Sequence, residues 1–529
     1  MRLSRRHALH LALAGASAPA LAAPAAPSAS GIEGQRRAAR GDGTYVNPIL
    51  AGDHADPTVL KDGADYWMTF SSFQSYPGAV IWHSTDLLNW TPVTAALHEN
   101  IGTVWAMDLV KHAGRYYLYI PVLQDAGTAI YVIHAGDIRG PWSAPVDLKI
   151  PGCIDPGHVV GEDGRRYLFV NGGRRVRLTD DGLATDGPLE ADAWQPWAYP
   201  KDWVVEMTAP EGPKLLRRGE WFYLVSAVGG TAGPPTSHMV TVARSRSVHG
   251  PWQHCPHNPI VRTTHVDEPW WSRGHASFVE GPSGDPGDCW MVYHGYENGY
   301  RTLGRQALLE PLEWTKDGWP RAKGGTLARP LPAPRGGRPS PGGAPLSDDF
   351  SRPRMGVQWS FHAPARDELS RLRWGPEGLT MRGKGASLAD CSPLVCINGD
   401  RRYECTVDLE ISGDGHAGLA LFYNERGHAG LGFSPTQMLT YGYGQEQAWM
   451  REAQPSRRVR IQLVNRDHVV TLRISRDEGA TWVQHPWQME VSGFHHNVFG
   501  GFVSLRIALF SAGAGEARFR NFVYRGLPA

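Results

Sequence analysis

An irregular repeat of about 50 to 65 residues limits the folds open to this chain more than any other feature of its sequence. Each unit opens with a polar or acidic residue near an apolar strand, turns at glycine and continues into an aromatic strand. The aromatic strands read GADYWMTF, GRYYLYI, GRRYLFV, GEWFYLV and DCWMVYHG. This spacing is typical of propeller blades rather than of sandwich strands. The sequence therefore predicts an all-β fold that contains a five-bladed β-propeller.

The residues that open the repeated units share one predicted location. Because the first strand of every propeller blade lines the central channel, residues at matching positions converge although the chain separates them widely. The unit-opening residues are Asp56, Asp108, Asp155, Glu211 and His275. The sequence therefore predicts one pocket to which all five blades contribute a polar side chain.

Segments rich in proline and glycine mark the domain boundaries. A chain of 529 residues exceeds the size of a single hydrophobic core, so more than one domain is expected. The stretch LPAPRGGRPSPGGAP predicts a linker at residues 329–345, between a propeller at 45–328 and a second domain at 346–529. Short alternating runs such as RVRIQLVN and HVVTLRIS predict that the second domain is a two-sheet β-sandwich.

The N-terminal residues resemble an export signal. Paired arginines at Arg5 and Arg6, an apolar run and small residues near position 22 predict a signal peptide at 1–23 of the twin-arginine type, with an ordinary secretory signal as the alternative. The protein is therefore expected to be exported, to the periplasm or the outside of the cell. Residues 24–44 are rich in alanine, proline, glycine and arginine without periodicity, and are predicted to form a flexible leader.

Charge and cysteine content restrict the partners. The 53 basic residues nearly balance the 52 acidic ones, which argues against a nucleic-acid or membrane partner. No apolar stretch after the signal approaches the length of a membrane span. The 20 tryptophans and 18 tyrosines suit a neutral sugar ligand, because aromatic faces pack on the C–H faces of sugars. The six cysteines lack zinc-site spacing, and a Cys391–Cys396 disulfide and free thiols remain alternatives.

Three of the unit-opening residues suit the hydrolysis of glycosidic bonds. Inversion at the sugar needs one protonated and one ionised carboxyl group on opposite faces of the ring. Asp56 lies in HADPTV, and Glu211 lies in the rigid loop APEGP at the matching position of its unit. An isolated Asp-Pro pair is most often a turn, so the catalytic assignment depends on the matching positions of Asp56 and Glu211 in their repeated units. Glu206 lacks the Gly-Pro frame and ranks second as an acid. Asp108, in WAMDLV, has apolar neighbours and must be paired, liganded or catalytic.

Together, NPILAGDHADPTV, WAMDLV and APEGP resemble the motifs of glycoside hydrolase family 43, and the likeness covers residues 45 to about 324. The resemblance implies Asp56 as general base, Glu211 as general acid and Asp108 as the carboxylate that orients the acid and adjusts its pKa. It also implies that the second domain is the concanavalin-like sandwich (a jelly roll) of β-xylosidase-type members. Met107 and the third-unit sequence CIDPGHVV depart from the common pattern, which weakens any transfer of substrate.

Further residues acquire roles from the same resemblance. It implies Phe73 as a sugar-stacking wall, His275 as a channel residue that contacts a central water or calcium ion, and Arg305 as a donor to substrate hydroxyls. Trp105, three residues before Asp108 in the same motif, is a further substrate-binding candidate. The structural alternatives are a core position for Phe73, a strand cap for His275 and an Arg305–Glu310 ion pair. No metal ligand is assigned and no cofactor is expected to be required. A structural calcium ion in the propeller channel is left as an alternative.

The expected activity follows from these roles. It is an exo-acting, inverting hydrolase that removes terminal β-1,4-linked xylose from plant-cell-wall oligosaccharides or polysaccharides. The alternatives are an α-L-arabinofuranosidase acting on arabinoxylan or arabinan and a catalytically inactive sugar-binding propeller. The sandwich either closes one side of the pocket or binds polysaccharide on a mobile linker. The oligomeric state is left open.

Overall fold

The computed structural model describes residues 26–338 and 341–528. The predicted signal peptide at 1–23 lies outside these residues. Within them, the chain is almost entirely β-structure, as the sequence predicts. It forms five successive antiparallel sheets and then a two-sheet sandwich. No helix among the described residues is long and apolar enough to cross a membrane.

The five sheets are the blades of a closed propeller, numbered I to V in chain order. Blade I contains Thr58–Asp62, Asp65–Thr69, Gly78–Ser84 and Thr91–Leu97. Blade II contains Asp108–His112, Arg115–Gln124, Gly127–Ala135 and Val146–Asp147, with Thr103–Val104 added to its second strand. Blade III contains Gly157–Val160, Arg166–Val170 and Arg174–Arg177. Blade IV contains Glu211–Arg218, Trp221–Val228, Met239–Ser245 and Gln253–His254, with Val261–Arg262. Blade V contains Trp270–Glu280, Cys289–Glu297, Arg305–Trp314 and Pro320–Ala322.

The ring closes because the first strand of each blade lies against the first strands of both neighbours, including blade V against blade I. The aromatic second strands explain this packing. Side chains alternate across a strand, so consecutive residues face the two adjacent blades. Each interblade space is accordingly filled by one apolar cluster, represented by the pairs Trp67–Leu118, Tyr119–Leu168, Phe169–Leu224, Tyr223–Met291 and Val292–Met68. The predicted repeat is therefore a repeat of buried strands.

The sandwich follows the propeller. Its first sheet contains Trp359–His362, Leu394–Cys396, Gly415–Asn424, Gly427–Phe433, Gln437–Gly442, Gln445–Glu446, Glu452–Ala453 and Arg506–Gly513. Its second sheet contains Leu372–Gly375, Gly378–Arg382, Arg402–Ser412, Arg458–Arg466, Val469–Ser475, Val483–Gln484, Met489–Glu490 and Glu516–Gly526. The helical segments are short, at Ile32–Gly34, Arg301–Leu303, Glu368–Arg371, Ala448–Met450 and His496–Phe499. The six cysteines are buried free thiols, which resolves the alternative left open for Cys391 and Cys396.

The two domains are joined directly. Ser75–Tyr76, inserted in blade I, pairs with Trp359–His362 and so extends the first sheet of the sandwich. The region predicted as linker also participates, because Leu331–Pro332 pairs with Thr44–Tyr45. The sandwich is therefore held against the propeller by backbone hydrogen bonds, an arrangement that differs from a mobile module on a flexible linker.

The segment predicted as a flexible leader differs from that prediction from residue 26 onward. Ala29–Ser30 pairs with Arg36–Arg37. The Arg36 guanidinium donates to Glu297 at 2.9 Å and to Gln306 at 2.9 Å, both in blade V. Its backbone N–H donates to Asp400 of the sandwich at 2.8 Å. Sequence composition could not reveal this order, because it comes from charged contacts with residues more than 250 positions away rather than from a periodic apolar face.

Arg36 stabilises the contact between the domains. Its partner Glu297 is almost fully buried and also pairs with Arg401 of the sandwich. Replacing Arg36 by alanine leaves a buried carboxylate with one cation instead of two, and the free energy of unfolding is expected to fall by about 3 kcal/mol. Chemical denaturation of both proteins measures this change. The matched control is Arg37→Ala, which removes a side chain that, among the described residues, donates to the uncharged Asn89 and should cost less than about 1 kcal/mol. Equal losses in the two variants would contradict the assignment.

Candidate active site

A cavity of about 200 Å³ opens at the centre of the propeller, where the first strands of the blades meet. Blade residues from all parts of the ring and one sandwich residue form its wall. The lining residues are Asp56, Phe73, Trp105, Ala106, Ile154, Asp155, Glu211, Thr231, His275, Arg305 and Phe502. Six of the seven side chains predicted for the site are among them, and Asp108 is the exception. Side chains from blades that are distant in the sequence thus meet in one cavity, as the repeat predicts.

The backbone around the cavity is held in an unfavourable conformation at three equivalent places. Asp56, Asp155 and His275 have φ values of 56°, 56° and 57°, which side-chain-bearing residues rarely adopt. Such conformations persist where the surrounding structure enforces them, and they are concentrated at functional sites. Blade IV reaches the same geometry with a glycine, because Gly212 has φ 60° and follows Glu211. A Cβ at Gly212 would lie 2.8 Å from the His275 ring, so glycine is required there.

Asp56 is held in its ionised form. Arg305 donates to its Oδ1 at 2.8 Å, the Ser71 hydroxyl donates to its Oδ2 at 2.6 Å, and the carboxyl is almost fully buried. Burial by itself raises the pKa of a carboxyl group, but Arg305, with His275 and His294 beside it, holds the pKa of Asp56 well below its usual range. Since burial lowers the pKa of His275 to about 3, that imidazole is neutral at neutral pH. The stabilising charge is therefore that of Arg305.

Glu211 is held in the opposite state. Burial, together with the nearby carboxyl groups of Asp155 and Asp56, raises the pKa of Glu211 well above its usual range. Its nearest cationic candidate, His238, lies 3.9 Å away, and burial holds the pKa of that imidazole well below its usual range. The surroundings therefore favour the protonated form of Glu211 and the ionised form of Asp56 in the same cavity. Two carboxyl groups with pKa values pushed apart in this way can act as an acid and a base.

Asp155 is the third carboxyl group of the cavity. Its Oδ2 accepts a hydrogen bond of 3.2 Å from the Gly212 N–H, which directly follows Glu211. Burial and the negative charge of Asp56 raise the pKa of Asp155 to about 7. Asp155 therefore lies where a residue that orients Glu211 and adjusts its pKa is needed. It was available in the sequence, since Asp155-Pro156 repeats the Asp56-Pro57 pair two residues before the first strand of its blade.

The structure corrects the prediction for Asp108. Its carboxylate lies outside the cavity and forms a buried ion pair with Lys214 at 2.9 Å. It also accepts from the Thr58 hydroxyl and from the His158 N–H. The interaction joins blades I to IV, because these residues and Lys214 belong to four different first strands. The apolar surroundings of Asp108 in the sequence therefore reflect a structural ion pair, which was one of the alternatives its sequence left open.

Aromatic rings form the walls beside the carboxyl groups. Phe73 of the propeller and Phe502 of the sandwich stack with ring centroids 6.4 Å apart, and the Arg305 guanidinium lies over both rings. Trp105 forms a further part of the wall. Arg305 pairs with Asp56 rather than with Glu310, which instead accepts from Tyr293 and Gly324. Phe502 could not be found from the sequence, because nothing near it distinguishes a residue that reaches into another domain.

The structure also places the remaining candidates. Glu206 is exposed and accepts from the backbone N–H groups of Ala232 and Gly233, so it orders a loop beside the cavity. His275 lies 3.5 Å from Asp56 and is joined in the channel by His238 and His294, which sequence reasoning missed. His238 lies in a loop without a motif, so no signal pointed to it. His294 belongs to the repeated aromatic segment DCWMVYHG, but the repeat marks a buried strand and does not single out this histidine as a channel residue.

The channel histidines do not fit a calcium ion. Among the described residues, the one cluster with metal-ligand spacing consists of Glu211, His238 and His275, whose ligand atoms lie within 4.8 Å of one another. It offers two imidazole nitrogens and a single carboxylate oxygen, whereas calcium is bound by about six to eight oxygen ligands. His238 and His275, whose pKa values burial lowers, are therefore neutral side chains that shape the cavity.

Fold and site together define a class of protein: a β-propeller whose central cavity holds one protonated and one ionised carboxyl group is arranged for glycoside hydrolysis. Comparison with known proteins agrees. The family model for "Glycosyl hydrolases family 43" matches residues 45–320, and that for "Beta xylosidase C-terminal Concanavalin A-like domain" matches residues 347–525. Since the first match spans more than half of the chain, the chain belongs to glycosyl hydrolase family 43, a family of glycosidases.

Individual relatives support the same placement. The chain is 32% identical over 314 residues to a "Xylan 1,3-beta-xylosidase" from a Vibrio species, a match that covers 52% of this chain and 57% of that one. It is 29% identical over 294 residues to a "Non-reducing end alpha-L-arabinofuranosidase" from Bacteroides ovatus, covering 53% of each chain. The chain thus spans little more than half the length of these curated relatives. A solved family 43 protein from Bacillus licheniformis aligns over 92% of this chain and 100% of its own, with 25% identity and a TM-score of 0.81.

Proposed function

We propose that this protein is an exo-acting, inverting glycosidase that removes a terminal pentose, first of all β-1,4-linked xylose, from xylan-type oligosaccharides. The observation that carries the proposal is that Glu211, whose pKa is raised, and Asp56, whose pKa is lowered, line one cavity. Relatives named as a β-xylosidase and as an α-L-arabinofuranosidase support a pentose at this site. An α-L-arabinofuranosidase acting on arabinoxylan or arabinan is the alternative within the same chemistry.

The proposed reaction is a single displacement. Asp56 removes a proton from a water molecule as that water attacks the anomeric carbon, and Glu211 gives its proton to the departing glycosidic oxygen. Arg305 holds Asp56 in place and keeps it ionised. Asp155 fixes the backbone beside Glu211 and, by its negative charge, keeps Glu211 protonated. Water and the two carboxyl groups complete the reaction, and we propose no cofactor for it.

The exo mode is supported by what lines the cavity. Phe502 of the sandwich lines it together with Asp56 and Glu211 of the propeller, so both domains contribute to its wall. A volume of about 200 Å³ suits about one pentose ring and its linkage oxygen rather than a polymer threaded through. Digestion of xylohexaose labelled at its reducing end tests this mode. We expect free xylose and stepwise shortening of the label-bearing product, and early internal fragments would contradict the exo mode.

Phe502 is expected to contribute to substrate binding. Its ring stacks near Phe73 and covers one side of the cavity, so Phe502→Ala should raise KM for a nitrophenyl pentoside about tenfold, with a smaller change in kcat. Phe502→Leu is the matched control, because it keeps the apolar volume and loses only the flat ring. Steady-state kinetics at one pH measure both variants. An unchanged KM in Phe502→Ala would show that the sandwich does not contact the substrate.

Asp155 is expected to act through the pKa of Glu211. Replacing Asp155 by asparagine removes a nearby negative charge, makes Glu211 easier to ionise and lowers its pKa. Since the reaction needs protonated Glu211, the basic limb of the profile of kcat/KM against pH should move by about one pH unit to lower pH. Glu206→Gln is the control and should move the limb less, because that carboxylate is exposed to water and raises the pKa of Glu211 less than Asp155 does. An equal shift in both variants, or none in Asp155→Asn, would remove the proposed role.

Export is proposed on the N-terminal signal features alone. We propose a periplasmic or extracellular location, which suits a substrate derived from plant cell walls. Cell fractionation followed by N-terminal sequencing of the mature protein tests it, and an uncleaved cytoplasmic protein would contradict it.

A further inference from the structure

Three aromatic side chains stand together on the sandwich, outside the catalytic cavity. Tyr443 follows the strand Gln437–Gly442 and is 56% exposed, and Trp449 lies in the short helix Ala448–Met450 and is 77% exposed. Half-buried Trp487 lies between them, with ring centroids 6.1 Å from Tyr443 and 6.5 Å from Trp449. We call these three residues the aromatic platform. Large aromatic rings exposed together usually mark a binding surface.

The platform is held in shape by its surroundings. Trp487 packs directly against the backbone of Gly442, where an added Cβ would lie 2.2 Å from the indole ring. The Trp449 indole N–H donates to the Gln447 side chain at 3.2 Å, and the Gln447 amide in turn donates to the Gly442 carbonyl at 3.2 Å. Arg451 and Glu446 form an ion pair in the same segment. The exposed rings are therefore fixed in position without being covered, which reduces the entropy lost when a ligand binds.

A series of ring contacts connects the platform with the catalytic cavity. Tyr443 stacks on Phe494 at 6.1 Å, and Phe494 contacts Phe499 at 5.4 Å. Phe499 ends the helix His496–Phe499, and His496 at the other end of this helix stacks on Phe502 at 4.3 Å. Phe502 lines the cavity. The platform thus belongs to the same part of the sandwich as the residue that covers the active site.

We propose that the aromatic platform binds the backbone of the polysaccharide substrate at a distance from the cleavage site. The inference rests on the proposed function for the identity of the polysaccharide, a neutral xylan. Aromatic faces pack on the C–H faces of sugar rings. The tilts of 62° and 50° between neighbouring rings present them at different angles rather than as one flat surface. Gln447 contacts the Trp449 ring, and the ion pair of Glu446 and Arg451 lies in the same segment, so polar groups that can bond hydroxyls flank the rings in the sequence.

A polysaccharide fits this surface better than a second copy of the chain. A stable protein interface buries about 800 Å² on each partner around an apolar centre. The platform consists of three rings with charged side chains immediately beside them. A polymer in contact with it would keep chain ends near the cavity and raise their local concentration, without any change in how a small substrate is cut.

Affinity electrophoresis in native gels tests the proposal. The full-length protein and the variants Trp449→Ala, Tyr443→Ala and their double variant are run in gels containing soluble arabinoxylan, linear xylan or arabinan. Trp482→Ala is the matched control, a tryptophan of the same domain that packs on Arg473. We expect retardation of the parent protein, with about tenfold weaker apparent affinity for Trp449→Ala and normal affinity for Trp482→Ala. The kcat/KM for a nitrophenyl pentoside should be equal in all four variants.

Each outcome separates the platform from the proposed function. If the parent protein is not retarded, or is retarded equally after both tyrosine and tryptophan are removed, the platform does not bind polysaccharide. If Trp449→Ala instead changes the molecular mass in solution, the platform is a contact between copies and the proposal is overturned. Retardation that depends on Trp449 while no nitrophenyl pentoside is hydrolysed would support the platform and reject the pentosidase function.

Discussion

Replacing Asp56 by asparagine is expected to reduce kcat for every substrate by about 10³- to 10⁴-fold. The amide keeps nearly the same shape but cannot accept the proton of the attacking water. The loss should be the same for good and poor leaving groups, since the missing step is the activation of water. Steady-state kinetics with two nitrophenyl pentosides of different leaving-group pKa measure it.

Two observations would separate a catalytic loss from a structural one. Arg305 donates to Asp56 and is almost fully buried, so the variant must be shown to fold, by an unchanged far-ultraviolet spectrum and a comparable unfolding temperature. It should also still bind xylose. A folded Asp56→Asn protein that retains activity within tenfold of the parent would mean that another group is the base.

Replacing Glu211 by alanine is expected to reduce kcat strongly for substrates with a poor leaving group and only weakly for substrates with a good one. For xylobiose, whose leaving group is a sugar hydroxyl, kcat should fall by about 10³-fold, because departure requires a proton from Glu211. For a dinitrophenyl xyloside, whose leaving group needs little protonation, the loss should be about tenfold or less. The basic limb of the pH profile, which reports ionisation of Glu211, should also disappear. Rates measured across a series of aryl xylosides, at several pH values, test both statements.

The control for Glu211 is its neighbour Glu206. Glu206→Gln keeps the contacts to the backbone of Ala232 and Gly233 through its side-chain oxygen and should leave the dependence on leaving group unchanged. Equal loss for xylobiose and for the dinitrophenyl xyloside in Glu211→Ala would show that Glu211 is not the acid. A large loss for xylobiose with little loss for the dinitrophenyl xyloside in Glu206→Gln would transfer the role to that residue.

The fold could be predicted from sequence because it depends on local pattern. The five aromatic strands are buried between blades. Because each strand packs against the two adjacent blades, apolar residues occur on both of its faces, and this pattern is visible in a single sequence. Asp56 and Glu211 could be identified for the same reason, since Asp56 lies two residues before the first strand of its blade and Glu211 begins the first strand of its own. A channel at the centre of a ring makes matching positions meet, whatever their separation in the chain.

What could not be predicted depends on contacts between distant parts. Asp108 and Asp155 both open a blade, and only the ion pair of Asp108 with Lys214 separates a structural carboxylate from one in the cavity. Phe502 comes from the sandwich, and its position in the cavity depends on how the sandwich packs against the propeller. Arg36 lies in a segment without periodicity, and its order comes from Glu297, which is remote in sequence. In each case the position of the residue depends on a partner that is distant in the sequence, and no local sequence pattern indicates which partner that is.

Hydrolysis by direct attack of a water molecule activated by Asp56 determines the configuration of the first product. Proton NMR spectra collected during the first minutes of hydrolysis of a β-D-xylopyranoside detect which anomer of xylose forms before mutarotation mixes the two. Because direct attack by water inverts the anomeric centre, we expect α-xylose from the β-xyloside, or the β-anomer of arabinofuranose from an α-L-arabinofuranoside. Initial release of the anomer with the same configuration as the substrate would show that a carboxylate attacks the sugar, and would contradict the mechanism.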